Sequence, residues 1–340
     1  TINCVGAPPP DMNFTLPLLS IIATYIVVFI IAFIGNFTMF LILCRNQMVK
    51  VRRVHSLLLH MNIAHLMVTL LYMPKEIMHN YTIMWNGGDV LCKVCKFFDV
   101  FGISLSANIL ICISLDRFYS IFFPLYAMRA RRSVNHMVAF AWGVSILTSA
   151  PQVSNCILSI MPFTKGSSKT AQRKYSSEIS MDFAFYISIL NIVQVYFLPL
   201  VVTLVCYTLI LFKISSGALM KYNSEKNRDN GGLLRRSTAG NLERARSRTL
   251  RMTFVIVLAF LLCWSPYAIV MFLHFSTGAK WIPKDVRKLI YAFAVFNSAI
   301  TPYLYGYFSF DVKKELKLLA KCSKATVSER HLSHSTAIQR

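Results

Sequence analysis

Seven stretches of this 340-residue chain are apolar over about the length that a membrane crossing requires. An α-helix rises 1.5 Å per residue, so about 20 apolar residues cross about 30 Å of hydrocarbon. The runs cover approximately residues 18–43, 54–78, 91–122, 134–150, 182–212, 250–275 and 286–308, the fourth being the shortest. Barrel strands would be segments of about ten alternating residues, whereas these runs are long and continuous. The expected fold class is therefore an all-α membrane protein, a seven-transmembrane helix bundle. Composition agrees, with 55% hydrophobic and only 15% charged residues, against about 25% charged in soluble domains. The first run is too long for a signal-peptide core and has no small-residue cleavage site behind it. The chain begins with Thr1, and further residues are expected upstream.

Orientation follows from the basic residues in the connections. Arg45, Lys50, Arg52 and Arg53 separate runs one and two, and Arg129, Arg131 and Arg132 separate runs three and four. Ten basic residues against three acids lie between Lys213 and Arg251, and seven more follow Phe310. Thus 24 of the 36 basic residues fall on one side, which is expected to be cytoplasmic, with the N-terminus outside and the protein in the plasma membrane. The net charge of +22 then reads as topology and contact with anionic membrane lipids, not as nucleic-acid binding. Two sequons, at Asn13 and Asn80, fall on the outer side as candidate glycosylation sites; a third, at Asn36, lies inside the first helix and is unusable.

The expected organisation is an extracellular tail at 1–17, the bundle at 18–309 with its third intracellular loop at about 213–249, a short amphipathic eighth helix at 310–322, and a disordered cytoplasmic tail at 323–340. In that eighth helix Val312, Leu316 and Leu319 share one face opposite lysines, a pattern that lies on a membrane surface. Cys322 at its end is a candidate palmitoylation site. A transporter or channel is the rival from another class. Transporters often carry paired broken helices in two related halves; here the prolines do not pair, and intramembrane acids are few. No metal cluster, phosphate loop or nucleophile triad is visible, so neither enzyme activity nor a cofactor is expected.

Charged groups inside a bilayer cost roughly 2.5–3.5 kcal/mol each at its centre on insertion scales. In "SLDRFYS" (114–120), Asp116 and Arg117 follow sixteen uncharged residues, 100–115, at the inner end of the third helix. The acid can hold the guanidinium at rest; on rearrangement the guanidinium can turn to a partner's backbone carbonyls or to a tyrosine hydroxyl. A plain interfacial charge pair is the simpler alternative. Prolines bend three helices around this point: Pro266, two residues after Trp264; Pro302, one turn before Tyr305; and Pro199, two turns before Tyr207. Together they suggest a bistable bundle.

"SLDRFYSIFFPL", "CWSPY" and "TPYLYGYFSF", with Gly35-Asn36 and Trp142, resemble rhodopsin-like G-protein-coupled receptors. "RARSRTLRMT", "YGYFS", "MPKEIMHN" and "WNGGDVLCK" are most similar to the gonadotropin-releasing hormone, adipokinetic hormone and corazonin receptor group. The resemblance implies a receptor for a secreted, amidated peptide, signalling through a heterotrimeric Gq-type G protein to phospholipase C, with arrestin as a further partner of the tail. It gives Arg117 the G-protein contact, Asp116 the role of resting partner, and Tyr207 and Tyr305 that of stabilising the active arrangement. Trp264 and Phe260 become the transmission pair; Glu76, Asn80 and Tyr267 become ligand contacts; Leu125 docks into the G protein. It also implies a disulfide from Cys92. Cys156 is the candidate partner and Cys4 its competitor, and spacing alone does not decide between them.

Four departures stand out. Asp99 replaces the basic residue usual in that group and is a candidate anchor for a cationic ligand group. It also matches the acid of monoamine receptors, the second functional reading, against which stand "WSPY" in helix six and the presence of only one serine, Ser188, near the pocket. A local ion pair with Lys75 or Lys96 is the simpler account. Arg246 stands where many relatives carry an acid that locks the sixth helix to Arg117, so basal activity is expected. Thr301 stands before Pro302 in place of Asn or Asp. His65 replaces an acid on the second helix, so no sodium site is expected; it is read as a neutral imidazole hydrogen-bonded to Asn297, Ser106 or water, with proton sensing as the alternative. The neutral reading predicts signalling that stays flat as external pH is titrated between about 5.5 and 8, and a sigmoid in that window overturns it.

Overall fold

The computed structural model describes residues 16–49, 53–82, 88–123, 131–153, 185–226, 236–277 and 282–320. Among them are eight helices and no strand. We label them α1 (Leu16–Val49), α2 (Arg53–Met67, a widened π-helical turn Val68–Tyr72, then Met73–Thr82), α3 (Gly88–Phe122) and α4 (Arg131–Ser149). They continue with α5 (helical from residue 185, a widened turn Val193–Phe197, then Leu198–Lys226), α6 (Arg236–Thr277), α7 (Lys284–Ser309) and α8 (Val312–Ala320). Asn13, Leu125, Cys156, Cys322 and Cys4 lie outside the described residues.

Side chains sort by polarity in the sense opposite to a water-soluble protein. Ile26, Val27, Ile30, Phe33, Ile34, Phe37 and Leu41 of α1 are exposed at helical spacing, as are Val201, Leu204, Val205, Leu211 and Phe212 of α5. The polar groups Asn36, Asn62, Ser104, Asn108, Gln194, Asn297 and Ser298 are buried. An apolar exterior of this extent is stable only against lipid, where buried small and polar residues supply the contacts between helices. Five helices, α1, α2, α3, α5 and α6, are long and apolar enough to span a membrane. The shorter α4 and the charge-led α7 complete the bundle by packing, α4 against α3, and α7 between α1 and α6.

Both widened turns have a local cause. A proline ring clashes with the carbonyl four residues before it and leaves that carbonyl without a donor. For Pro74 that residue is Leu70 and for Pro199 it is Val195, each inside its widened turn. A wider turn relieves the clash without ending the helix. Pro266 and Pro302 lie within α6 and α7. The helices also run past the apolar stretches that announce them: α5 reaches Lys226 and α6 begins at Arg236, inside the segment expected as a loop. Hydropathy marks only the lipid-crossing part of a helix, and "NLERARSR" is rich in good helix formers.

The α2–α3 contact needs a residue without a side chain. A Cβ on Gly102 would lie 2.9 Å from Val68 Cγ2 and 3.1 Å from the Ala64 carbonyl oxygen. At the far end of the bundle α8 is tied to α1, Arg45 Nη1 donating to Glu315 Oε2 at 2.8 Å. Asn46 Nδ2 donates to the same oxygen at 3.4 Å. We expect Gly102→Val to lower stability by about 1–3 kcal/mol through overpacking, read as a fall in melting temperature of the detergent-solubilised protein. An unchanged melting temperature contradicts the close approach.

Candidate functional site

One end of the bundle holds an aromatic cavity of ≈ 650 Å³, its open mouth included. Asp99 and Ile103 of α3, Asn191, Val195 and Tyr196 of α5, Trp264 and Tyr267 of α6, and Tyr291 of α7 line it. Trp264 forms the centre of a ring cluster, with Tyr267 at 6.0 Å, Tyr291 at 6.4 Å and Phe260 at 6.2 Å between centroids. Tyr291 continues to Tyr72 at 5.8 Å, and the Tyr72 and Tyr25 hydroxyls meet at 3.3 Å. On the α5 side Tyr196 stacks on Phe260 at 6.4 Å and shares a 2.8 Å hydrogen bond with Ser265. The residue next to Trp264 and the residue before Pro266 is thus the same Ser265, so α5 grips α6 beside its proline.

A charged cluster borders the cavity. Lys75 Nζ donates to Asp99 at 2.7 and 2.8 Å and to Glu76 Oε1 at 2.6 Å. Its ammonium also sits 5.0 Å from the centre of the Tyr72 ring. Two carboxylates therefore bracket one ammonium in a largely desolvated corner. The widened turn at 68–72 immediately precedes this segment and sets the rotation that turns it to the bundle interior. Asn80 accepts from Lys288 Nζ at 2.9 Å and donates to the Glu76 carbonyl at 2.8 Å, which ties α2 to α7. Its side chain is 3% exposed. Of the two alternatives for Asp99, the Lys75 pair is the one formed. Cys92 is disulfide-bonded to a cysteine outside the described residues.

Below the cavity the interior is a chain of side-chain hydrogen bonds. Ser104 Oγ donates to Gln194 Oε1 at 3.0 Å, Gln194 Nε2 to Asn108 Oδ1 at 3.0 Å, and Asn108 Nδ2 to Ser145 Oγ at 2.8 Å. α3, α4 and α5 meet there, and Gln194 reaches inward from the second widened turn. A parallel chain joins α1, α2 and α7. Asn36 Nδ2 donates to the Ala32 and Ser298 carbonyls at 2.9 Å, and Asn62 Nδ2 to Asn36 Oδ1 at 3.0 Å and Tyr305 Oη at 2.8 Å. His65 is 1% exposed, and of the side chains expected to bond to its imidazole, Ser106 and Asn297 bond elsewhere. Ser106 donates to its own helix at the Ile103 carbonyl, and Thr301 donates to Asn297. His65 Nδ1 has no partner among the described residues.

At the opposite end, where the basic residues gather, Arg117 Nη2 donates to Asp116 Oδ2. Asp116 is 3% exposed and also faces Arg53 Nη1 at 3.5 Å. Tyr207 lies beside Phe254 of α6, ring centroids 6.2 Å apart, while Tyr305 is held by Asn62. The Asp116–Arg117 pair is closed, and the two tyrosines have different neighbours, Phe254 of α6 for Tyr207 and Asn62 of α2 for Tyr305. α6 leans broadly on α7 and only marginally on α3 and α5. The side chain of Arg246 is outside the described residues.

The structure thus gathers Asp99, Tyr267 and Trp264 at one cavity with Glu76 and Asn80 beside it, and Asp116, Arg117, Tyr207 and Tyr305 at the other end. Phe260 and Pro266 lie on the α6 segment between. Tyr291, Tyr72, Gln194 and Arg53 escaped the sequence reading. Tyr291 could have been found, since it lies on the same helix face as Ala294, Asn297 and Ser298. Among the described residues no group of three metal-ligating side chains is assembled.

Comparison with known proteins agrees with this two-ended geometry. The family model for the seven-transmembrane receptor, rhodopsin family, matches residues 35–305. A gonadotropin-releasing hormone II receptor of Clarias gariepinus is 26% identical over 347 residues, covering 99% of this chain and 89% of that receptor. The gonadotropin-releasing hormone receptor of Octopus vulgaris is 30% identical over 326 residues, 91% of this chain and 76% of that receptor. That of Cavia porcellus is 29% identical over 269 residues, 76% and 78% respectively. Closed acid–arginine pair, proline-bearing α6 and aromatic cavity sit on a sequence related over nearly its whole length to such proteins, and the chain is a multi-pass membrane protein that belongs to the rhodopsin family of seven-transmembrane receptors, a family of receptors and not of enzymes.

Proposed function

We propose that the chain is a plasma-membrane receptor for a secreted, amidated peptide hormone of the gonadotropin-releasing hormone type. In this reading the cavity end faces outward and the basic end faces the cytoplasm, as the distribution of Lys and Arg favours. The observation that carries it is the likeness to gonadotropin-releasing hormone receptors across nearly all of the chain, joined to a cavity whose volume and apolar lining suit part of a peptide. Glu76, Asn80, Asp99, Tyr267 and Trp264 contact the ligand. Cys92 pairs with Cys156, Asn13 carries the glycan, and Cys322 the lipid anchor.

A ligand shifts the bundle only through contacts that differ between its two states, typically by about 1–3 kcal/mol. Here those contacts fall on the rings around Trp264. Displacing that ring moves Phe260 one turn below and tilts α6 at Pro266. Arg117 then leaves Asp116 for the G protein, Leu125 docks beside it, and Tyr207 and Tyr305 turn to hold the opened arrangement. The G protein is of the Gq type that activates phospholipase C, and arrestin follows at the tail. The Lys75 pair weighs against a small-amine receptor, since both Asp99 oxygens are already engaged.

Three outcomes test this reading. In a calcium-release screen of amidated neuropeptides on cells expressing the chain, a peptide of the gonadotropin-releasing hormone type gives the response; silence to every such peptide overturns it. Against the active peptide, Glu76→Gln raises the half-maximal concentration about tenfold or more, the worth of a hydrogen bond to a charged group; an unshifted curve removes Glu76 from the contact set. Arg117→Ala abolishes stimulated nucleotide exchange while radioligand affinity for the same peptide stays within about threefold. Exchange that survives Arg117→Ala contradicts the assigned switch.

A further inference from the structure

Asp116 serves two cations, and the second has no part in the scheme so far. Arg53, the first residue of α2, reaches across to Asp116 Oδ1 at 3.5 Å, while Arg117 holds Oδ2. Arg53 is 28% exposed and Asp116 3%. A buried carboxylate left without a counter-charge is strongly unfavourable, so freeing Arg117 for a partner is opposed unless Asp116 finds another cation. Among the described ion pairs Arg53 is the other cation at Asp116, and Arg45 is committed to Glu315. Arg53 needs to move only about 0.7 Å to reach the length of a charge-assisted hydrogen bond.

We propose that Arg53 is a positioning residue for the switch: the standby counter-ion that takes over Asp116 as Arg117 leaves it. This rests on the reading of Arg117 as the G-protein contact. Arg53 acts on both states in the same direction. At rest it divides the carboxylate that holds Arg117, and after release it keeps Asp116 paired. Its loss therefore stabilises the resting arrangement.

The test needs no hormone. The full chain, purified into lipid nanodiscs with a heterotrimeric G protein, is assayed for ligand-free nucleotide exchange. Arg53→Gln lowers the receptor-stimulated rate about fivefold, the low end of ordinary coupling, while Arg53→Lys keeps most of it. In an Asp116→Asn background, where no carboxylate needs a partner, Arg53→Gln changes the rate by less than about twofold. Equal rates for wild type and Arg53→Gln overturn the inference alone, leaving the receptor reading intact. So does a fivefold drop that persists in the Asp116→Asn background, since Arg53 then acts by touching the G protein. A wild-type rate no higher than that of G protein alone overturns this inference, which needs basal coupling, and leaves the receptor reading to the peptide screen. Melting temperatures of all variants accompany the rates, and a fall in rate matched by a comparable loss of folded protein also counts against the standby role.

Discussion

Hydrocarbon offers no water to an unpaired donor or acceptor, and the interior of this protein is organised around that fact. Backbone groups are satisfied within helices, and side-chain groups must find one another across them. The Asn36–Asn62–Tyr305 chain is the clearest case, since one amide nitrogen of Asn36 meets two carbonyls and its oxygen accepts from Asn62. Removing any member leaves the next with an unmet group in a medium that penalises it. The same rule joins α3, α4 and α5 through Gln194 and Asn108.

These two chains run between a cavity at one end and a charge pair at the other, and they divide the bundle unequally. α1, α2 and α7 are fastened to one another, as are α3, α4 and α5. α6 is joined to α5 by Tyr196, through its bond to Ser265 and its stacking on Phe260, and to α7 by broad packing and by Ser309 Oγ, which donates to Met252 Sδ. Of the polar ties of α6, the Tyr196–Ser265 bond lies beside Pro266 and the Ser309–Met252 bond lies towards the basic end. Lys75, shared by two carboxylates at the cavity, and Asp116, shared by two arginines at the far end, mirror each other in charge. In each case one central ion faces two of opposite sign, and an incoming group can exchange with either.

Hydropathy made the helices legible, because the demand for about 20 apolar residues is local and one-dimensional. Asp116 and Arg117 were legible for a related reason: charge beside a long apolar run needs an account wherever it appears. Partner choice was not legible. That Asp99 takes Lys75 and not Lys96 depends on the rotation that the widened turn before Pro74 gives to α2. Ser106 and Asn297 were expected near His65, yet their groups are spent on neighbouring carbonyls and hydroxyls of their own helices, an alternative open to any serine or threonine in a helix. Arg53 looked like one of four basic residues in a connection, and only the approach of α2 to the end of α3 sets it apart. Asn80 lies in a sequon, but its bond to Lys288 was not legible, because it depends on how α7 approaches α2.

The place of Pro266 within α6 also sets a mechanical gain. From Pro266 to Arg251 is fifteen residues, an arm of roughly 22 Å at helical rise. A change of about 10° at the proline carries the far tip about 4 Å sideways. An ångström-scale shove from a ring near the pivot is therefore returned several times larger at the distant end, and the amplification is built into the length of one rigid rod.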